Sequence, residues 1–319
     1  MARRKSGISS PGRLLPDEDT LVRMLSRGLP QTSRTLMGPG DDCAVISGPG
    51  KGTLTLFKTD CVIAGVHFLM ETDAARVGWK ALCRVISDIA ASGGEPREAL
   101  VTLAMPRDTP LAWVQRLYTG LRKAARRFSC GIAGGETSSL PQGAPAMISV
   151  AMLGTVERTK LVLRSGGRPG DRLFVTGRLG GSFAGKHLDF TPRLAEARWL
   201  VSQGRGLTAM MDLSDGLAKD LPRLAAANGC GYLLDRQAVP RNPRCSVEQA
   251  LGDGEDYELL FAWRGRDEDR LLSEWRAAFP QVRLTAVGHL TAPGEGERGD
   301  GLRGGWDHFA ASQRGRNFQ

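Results

Sequence analysis

Apolar and polar residues alternate through TLTLFKTD (53–60), the period of a half-buried strand. The period then changes. From Ala74 to Ser92 the apolar positions Val77, Ala81, Leu82, Val85, Ile86 and Ile89 recur at helical spacing, and Gly93 with Gly94 supplies a stop. EALVTLAM (98–105) reads as a second strand, PLAWVQRLYTGLRKAARRF (110–128) as a second helix with Pro110 near its start, and PAMISVAMLGTV (145–156) as another strand. The Gly- and charge-rich piece ERTKLVLRSGGRPGDR (157–172) interrupts the pattern and places a domain boundary there. Beyond it RLFVTG, TAMMD, GYLLD, YELLFAW and VRLTAVGHL read as strands, interleaved with helices near 183–188, 193–203, 216–228 and 268–278. Both halves are therefore α/β in pattern, and the Gly-rich piece 294–305 reads as a loop.

A length of 319 residues favours two compact units, 17–157 and 158–319, after a basic, disordered extension over 1–16 that lacks the apolar core of a secretory signal. With 41% hydrophobic and 24% charged residues the chain is globular in type, and it has no apolar stretch of the roughly 20 residues that cross a bilayer. Six cysteines in neither a CxxC pair nor a regular ladder argue against zinc and against a secreted disulfide framework, and leave a reducing cytoplasm as the simplest setting. The net charge of +9 raises nucleic acid as a partner. Against this, the positive residues are dispersed and do not interleave with aromatics, and the densest run, RKAARR (122–127), reads as a solvated helix face.

The carboxylates change the picture. GPGDDCAVI (38–46) sets Asp41 and Asp42 between glycines and an apolar run, and TLFKTD reads as ending a strand on Asp60. Asp88 falls at the margin of an apolar helix face and near the helix C-terminus, where the dipole disfavours it and a cation is needed. GIAGGETS (131–138) places Glu136 after a Gly pair that lets the backbone approach something closely, and DLSDG (212–216) sets Asp212 and Asp215 at a strand-to-helix turn. Like charges so close favour a shared hard cation bound through oxygen, such as Mg²⁺. GGSFAGK (180–186) has P-loop spacing but is followed by His187, where that motif needs a hydroxyl for Mg²⁺. No GxSxG, HExxH or CxxC element occurs, so a multi-Mg²⁺ phosphate site is favoured over nucleophilic or zinc chemistry.

In this order, GPGDDCAV, KTDCVIAGVHF, KALCRVISDIAASGGEP, GIAGGETS, LVLRSGGRPGD, TGRLGGSFAG, MDLSDGLAKDL, GEDYELLF and GWDHF closely resemble the thiamine-monophosphate kinase family, from about residue 18 to 310. The resemblance implies two α/β domains of the aminoimidazole ribonucleotide synthetase-like type, a homodimer formed through the N-terminal domains, and transfer of the γ-phosphoryl group of ATP to thiamine monophosphate with several Mg²⁺ ions. The acceptor oxygen is already ionised, so no acid or base residue is implied. Matched position by position, Asp42, Thr59, Asp60, Asp88, Asp212 and Asp215 correspond to metal ligands, with Asp41 supporting them and Glu136 replacing the usual Asp of a GGDT element. Tyr118, Gly135, Glu136, Arg164 and Ser214 correspond to nucleotide contacts, and His67, Glu255 and Trp306 to positions that hold thiamine. Two further departures are Asp253, where the family has Gly, and Lys58, where it often has Ser or Thr. The alternatives are another ATP-using enzyme of the superfamily, of the purine-pathway synthetase type, and a nucleotide-binding regulator without turnover.

Overall fold

The computed structural model describes residues 15–48, 50, 52–204, 206–265, 267–296, 302 and 304–309; most of the proposed N-terminal extension and part of the 294–305 piece lie outside these. A short helix α1 (Glu18–Ser26) precedes β1 (Thr35–Met37), β2 (Ala44–Ser47) and β3 (Thr53–Ile63). Next come α2 (Ala74–Ala91), β4 (Glu95–Pro106), α3 (Leu111–Phe128), β5 (Gly131–Leu140) and β6 (Met147–Glu157). These strands form one sheet of order β1-β2-β3-β6-β4-β5, antiparallel except for the β4–β5 pair.

The second sheet, β8-β10-β7-β11-β9, is antiparallel throughout. Its strands are β7 (Arg172–Thr176), β8 (Leu207–Asp212), β9 (Gly231–Leu234), β10 (Leu259–Trp263) and β11 (Leu284–Thr291). The helices around it are α4 (Lys186–Asp189), α5 (Leu194–Ser202), α6 (Leu217–Ala227), α7 (Val247–Gly252) and α8 (Glu268–Ala278). Strand alternation explains its burial on both faces. Phe174, Met210 and Phe261 point into a core shared with α2 and the first sheet, while Val175, Met211 and Leu260 point into a second core with Leu217, Leu221 and Leu224 of α6.

The expected helices and strands are present, with three differences that matter for the site. β3 does not stop at Asp60 but runs on to Ile63, so that Asp60 is inside a strand. GIAGGETS lies within β5, and what its glycines approach is β4: a Cβ on Gly135 would lie 1.8 Å from the carbonyl oxygen of Val101. Helix α2 is buried on almost every side, its polar Lys80, Ser87 and Asp88 included, because the first sheet, α3 and the second half of the chain all pack on it. The RKAARR cations are exposed on α3; Arg122 and Arg127 lie over the rings of Tyr118 and Phe128, and Lys123 over Trp79.

Candidate active site

Three carboxylates converge from three elements: Asp42 just before β2, Asp88 in the last turn of α2 and Asp212 at the end of β8. One oxygen of each lies within 4.8 Å of the others, and all three side chains are buried. The cation that Asp88 needs at its helix terminus is Lys58, whose Nζ is 2.7 Å away. Arg164 donates to Asp42 Oδ1 through Nε (3.1 Å) and Nη2 (2.5 Å), and its main-chain N–H donates to Asp41 Oδ2 (3.0 Å). The Ser87 hydroxyl donates to Asp212 Oδ2 at 2.6 Å. Asp42 Oδ2 is buried with no hydrogen-bond partner among the described residues.

Such a set is electrostatically costly. Burial, then Asp42, pushes the Asp212 carboxyl up to about 7, although Ser87, Lys58 and Arg164 oppose the shift. Burial, with Asp212, Asp60 and Asp42, holds Asp88 well above the ordinary carboxylate range in spite of Lys58. Asp41 rises to about 6 through burial and the neighbouring Asp42. An orphaned buried oxygen amid all-oxygen donors fits a hard divalent cation, which would satisfy the lone pairs and relieve the repulsion together.

The remaining carboxylates are placed less directly. Asp60 faces α2, where Arg84 Nη2 is 3.4 Å from Oδ1. Asp215 meets Arg223 Nη1 at 2.6 Å and Lys219 Nζ at 3.8 Å. Thr59 and Glu136 are not gathered with the cluster. Thr59 alternates with Asp60 and is exposed on the opposite face of the sheet, and Glu136 aligns with Thr102 on that same outer face. Tyr118 lies on α3 beneath Arg122, with a ring-to-guanidinium distance of 6.0 Å and no hydrogen bond to the cluster.

Main-chain bonds join the DLSDG turn to the residues matched to thiamine. Leu213 N–H donates to Glu258 O (2.8 Å), and Leu213 O accepts from Tyr257 N–H (2.8 Å). Ser214 O accepts from Glu255 N–H (2.7 Å), and Asp215 O accepts from Trp306 N–H (2.8 Å). Gly216, at φ 103°, makes the turn that frees these groups and starts α6. His67 and Trp306 both neighbour His308, with ring centroids 5.6 Å apart in each case. Lys80, fully buried on α2, ties His67 to Glu255: its Nζ donates to His67 O (2.8 Å), forms an ion pair with Glu255 and lies 2.8 Å from His187 Nδ1.

Sequence reasoning did not single out Lys80, Ser87, Arg84, Arg223 or Asp220. Asp220 is a fully buried carboxylate accepting from the N–H groups of Asp215 (3.0 Å) and Gly216 (3.1 Å). Lys80 falls outside the apolar stripe formed by Val77, Ala81 and Val85 on the helical wheel, so no local signal marked it as buried. In GGSFAGK the groups that a P-loop turns to phosphate meet the chain's own carboxylates: Gly180 N–H donates to Asp256 (3.0 Å), Gly181 N–H to Asp253 (2.7 Å), and Lys186 pairs with Glu258 (3.1 Å). Asp253 thus caps this turn. A cleft of about 700 Å³ opens beside α8, between Arg178, Lys186, Arg276 and Arg283, and Asp42, Asp88, Asp212, Glu255 and Trp306 do not line it.

The family model for the AIR synthase related protein, N-terminal domain, matches residues 40–156. The thiamine-monophosphate kinase of Rhodopirellula baltica is 38% identical over 257 residues, spanning 75% of this chain and 79% of that protein. That of Aquifex aeolicus is 33% identical over 306 residues, spanning 85% and 92%. A solved structure of AaThiL complexed with AMPPCP and TMP is similar with a TM-score of 0.76 at 30% identity, covering 92% of this chain and 97% of that one.

Proposed function

Because the chain belongs to the thiamine-monophosphate kinase family, we infer its chemistry from that premise: it phosphorylates thiamine monophosphate with ATP, giving thiamine diphosphate and ADP. The observation that carries the reading is the stitching of the Asp42–Asp88–Asp212 cluster to Glu255 and Trp306 through the main chain of DLSDG. The carboxylates proposed to handle phosphate and the residues proposed to hold an organic cation are thereby tied to one turn, and positioning is what such a transfer needs most.

Asp42, Asp88 and Asp212 would hold Mg²⁺, with Asp41, Asp60 and Asp215 adjoining. Bound there, Mg²⁺ supplies charge neutralisation for the transferring phosphoryl group. Thr59 and Glu136 stand outside this set in the single chain. Arg164, Ser214 and Gly135 are proposed to contact the nucleotide, with Tyr118 farther along α3. Arg164 is already oriented by Asp42, so its guanidinium is presented without a rotamer search. Glu255 offers a carboxylate, and His67 and Trp306 ring faces, to the cationic thiazolium. The acceptor phosphate carries its own ionised oxygen, so these residues bind and orient and none is asked to move a proton.

We propose a homodimer paired through the outer face of the first sheet, where Phe57, Leu100 and Leu153 are 45%, 53% and 43% exposed. The units proposed for the chain, 17–157 and 158–319, each carry one sheet. A cytoplasmic setting follows from the use of ATP, and among the described residues no helix is long and apolar enough to cross a membrane. The deciding experiment supplies folded protein with thiamine monophosphate, ATP and Mg²⁺ and measures thiamine diphosphate by chromatography. Formation of the product is expected, and its absence would sink the kinase reading.

A further inference from the structure

Lys58 stands on the inner face of β3, on the same side of the strand as Asp60, and its side chain runs towards α2 into the acidic cluster. Its ammonium is 2.7 Å from Asp88 Oδ1, and Asp88 is one of the three carboxylates whose oxygens lie within 4.8 Å of one another. The cluster therefore contains a cation supplied by the chain itself.

The distribution of partners is uneven. Asp88 is served by Lys58. Among the described residues, Asp42 is held by Arg164 through Oδ1 with its buried Oδ2 left without a partner, and Asp212 receives a neutral hydroxyl, from Ser87. Open valence for an external ion thus lies on the Asp42 and Asp212 side, away from the oxygen that Lys58 occupies.

We propose that Lys58 is a built-in counter-cation that takes the place of one divalent ion, so that the cluster loads one Mg²⁺ fewer than its carboxylates would hold if that ammonium were absent. This rests on the reading that the cluster binds Mg²⁺. An ammonium on a four-carbon stem carries a single charge and does not exchange with solution. That part of the site is then filled at every Mg²⁺ concentration, which makes the metal dependence of turnover less steep.

The test counts Mn²⁺ bound to the full chain with a non-hydrolysable ATP analogue, from the paramagnetic resonance signal of the free ion. Lys58→Thr removes the charge and offers a hydroxyl. Lys58→Gln keeps the length and a donor to Asp88 while removing the charge, so one of the two remains informative if the other folds poorly. Both are expected to bind one more Mn²⁺ per chain than the wild type, whereas Lys58→Arg keeps the wild-type count. An unchanged count in both neutral variants overturns the proposal. Asp212→Asn distinguishes the two levels: if it lowers the count in every background, the metal reading of the cluster stands and only the role of Lys58 falls. If it changes nothing, the cluster is not the metal site and the underlying reading falls as well.

Discussion

Asp212 costs stability in the metal-free protein. Two carboxylates about 4 Å apart repel by about 4 kcal/mol at an effective dielectric near 20, and Asp212 shares its buried position with Asp42 and Asp88. Asp212→Asn should therefore lower turnover by orders of magnitude while leaving the metal-free melting temperature unchanged or higher. An ADP-release assay beside a thermal melt checks both, and wild-type turnover would remove Asp212 from the metal set. Lys80 behaves in the opposite sense. It is a fully buried cation between Glu255, His187 and the His67 carbonyl, so Lys80→Met leaves Glu255 short of its ionic partner at a cost of about 3–5 kcal/mol. The expected kinetic signature is a higher KM for thiamine monophosphate with a smaller change in kcat. Steady-state kinetics and urea unfolding read the two effects separately. Asp212 was legible as a carboxylate at a strand end; the pairing of Lys80 with Glu255 was not, because 175 residues separate them in the chain.

The element that organises the site is α2. Its N-terminus is capped by Asp73, which accepts from Ala75 N–H at 3.0 Å, and its C-terminal turn delivers Ser87 and Asp88. It reaches this position by lying unusually close to α3. A Cβ on Gly120 would sit 1.8 Å from Ala75 O, and one on Gly78 2.1 Å from Leu117 O, so the two backbones touch where each helix has a glycine. Gly120→Ala should force the helices apart and cost about 1–3 kcal/mol, the range of an overpacked core. Urea unfolding of that variant is the measurement; wild-type stability would show that the helices can separate freely. The helices themselves were legible from their apolar period, and so was the stop at Gly93. Their contact was not, since glycines inside a helix pattern read as weak points until the partner helix is seen. The strand parity that sends Asp60 inwards and Thr59 outwards is readable in principle, but only once β3 is known to continue through Asp60 to Ile63.

At the scale of the whole molecule, the cluster makes stability depend on pH. Asp41, Asp212 and Asp220 carry carboxyls raised to about 6, about 7 and about 8, each mainly by burial. The folded protein then keeps protons that the unfolded chain has already released, and the stability contributed by those protonated groups is lost as pH rises through 6 to 8. Metal-free protein should melt at a lower temperature at pH 8 than at pH 5.5, and Mg²⁺ with an ATP analogue should narrow the difference. Melts in chelator and in Mg²⁺ test this, and stability that rises over the interval would contradict it. The outer face of the first sheet carries the other prediction. Leu100→Glu puts a charge among Phe57 and Leu153, and should convert the proposed dimer into monomers by light scattering while leaving the second core untouched.

The sequence by itself determined the alternation of elements, the order of the Gly-flanked acidic segments and, through them, the kinase family, because these depend on local period, turn chemistry and motif order. It also showed that Asp88 required a cation. Tertiary structure alone decided that Lys58 is that cation, that Asp42 keeps an unpartnered oxygen, and that Thr59 and Glu136 face away from the carboxylates they accompany in sequence. The reason is physical: burial, ion pairing and strand facing are set by the register and packing of segments far apart in the chain, which no local pattern records.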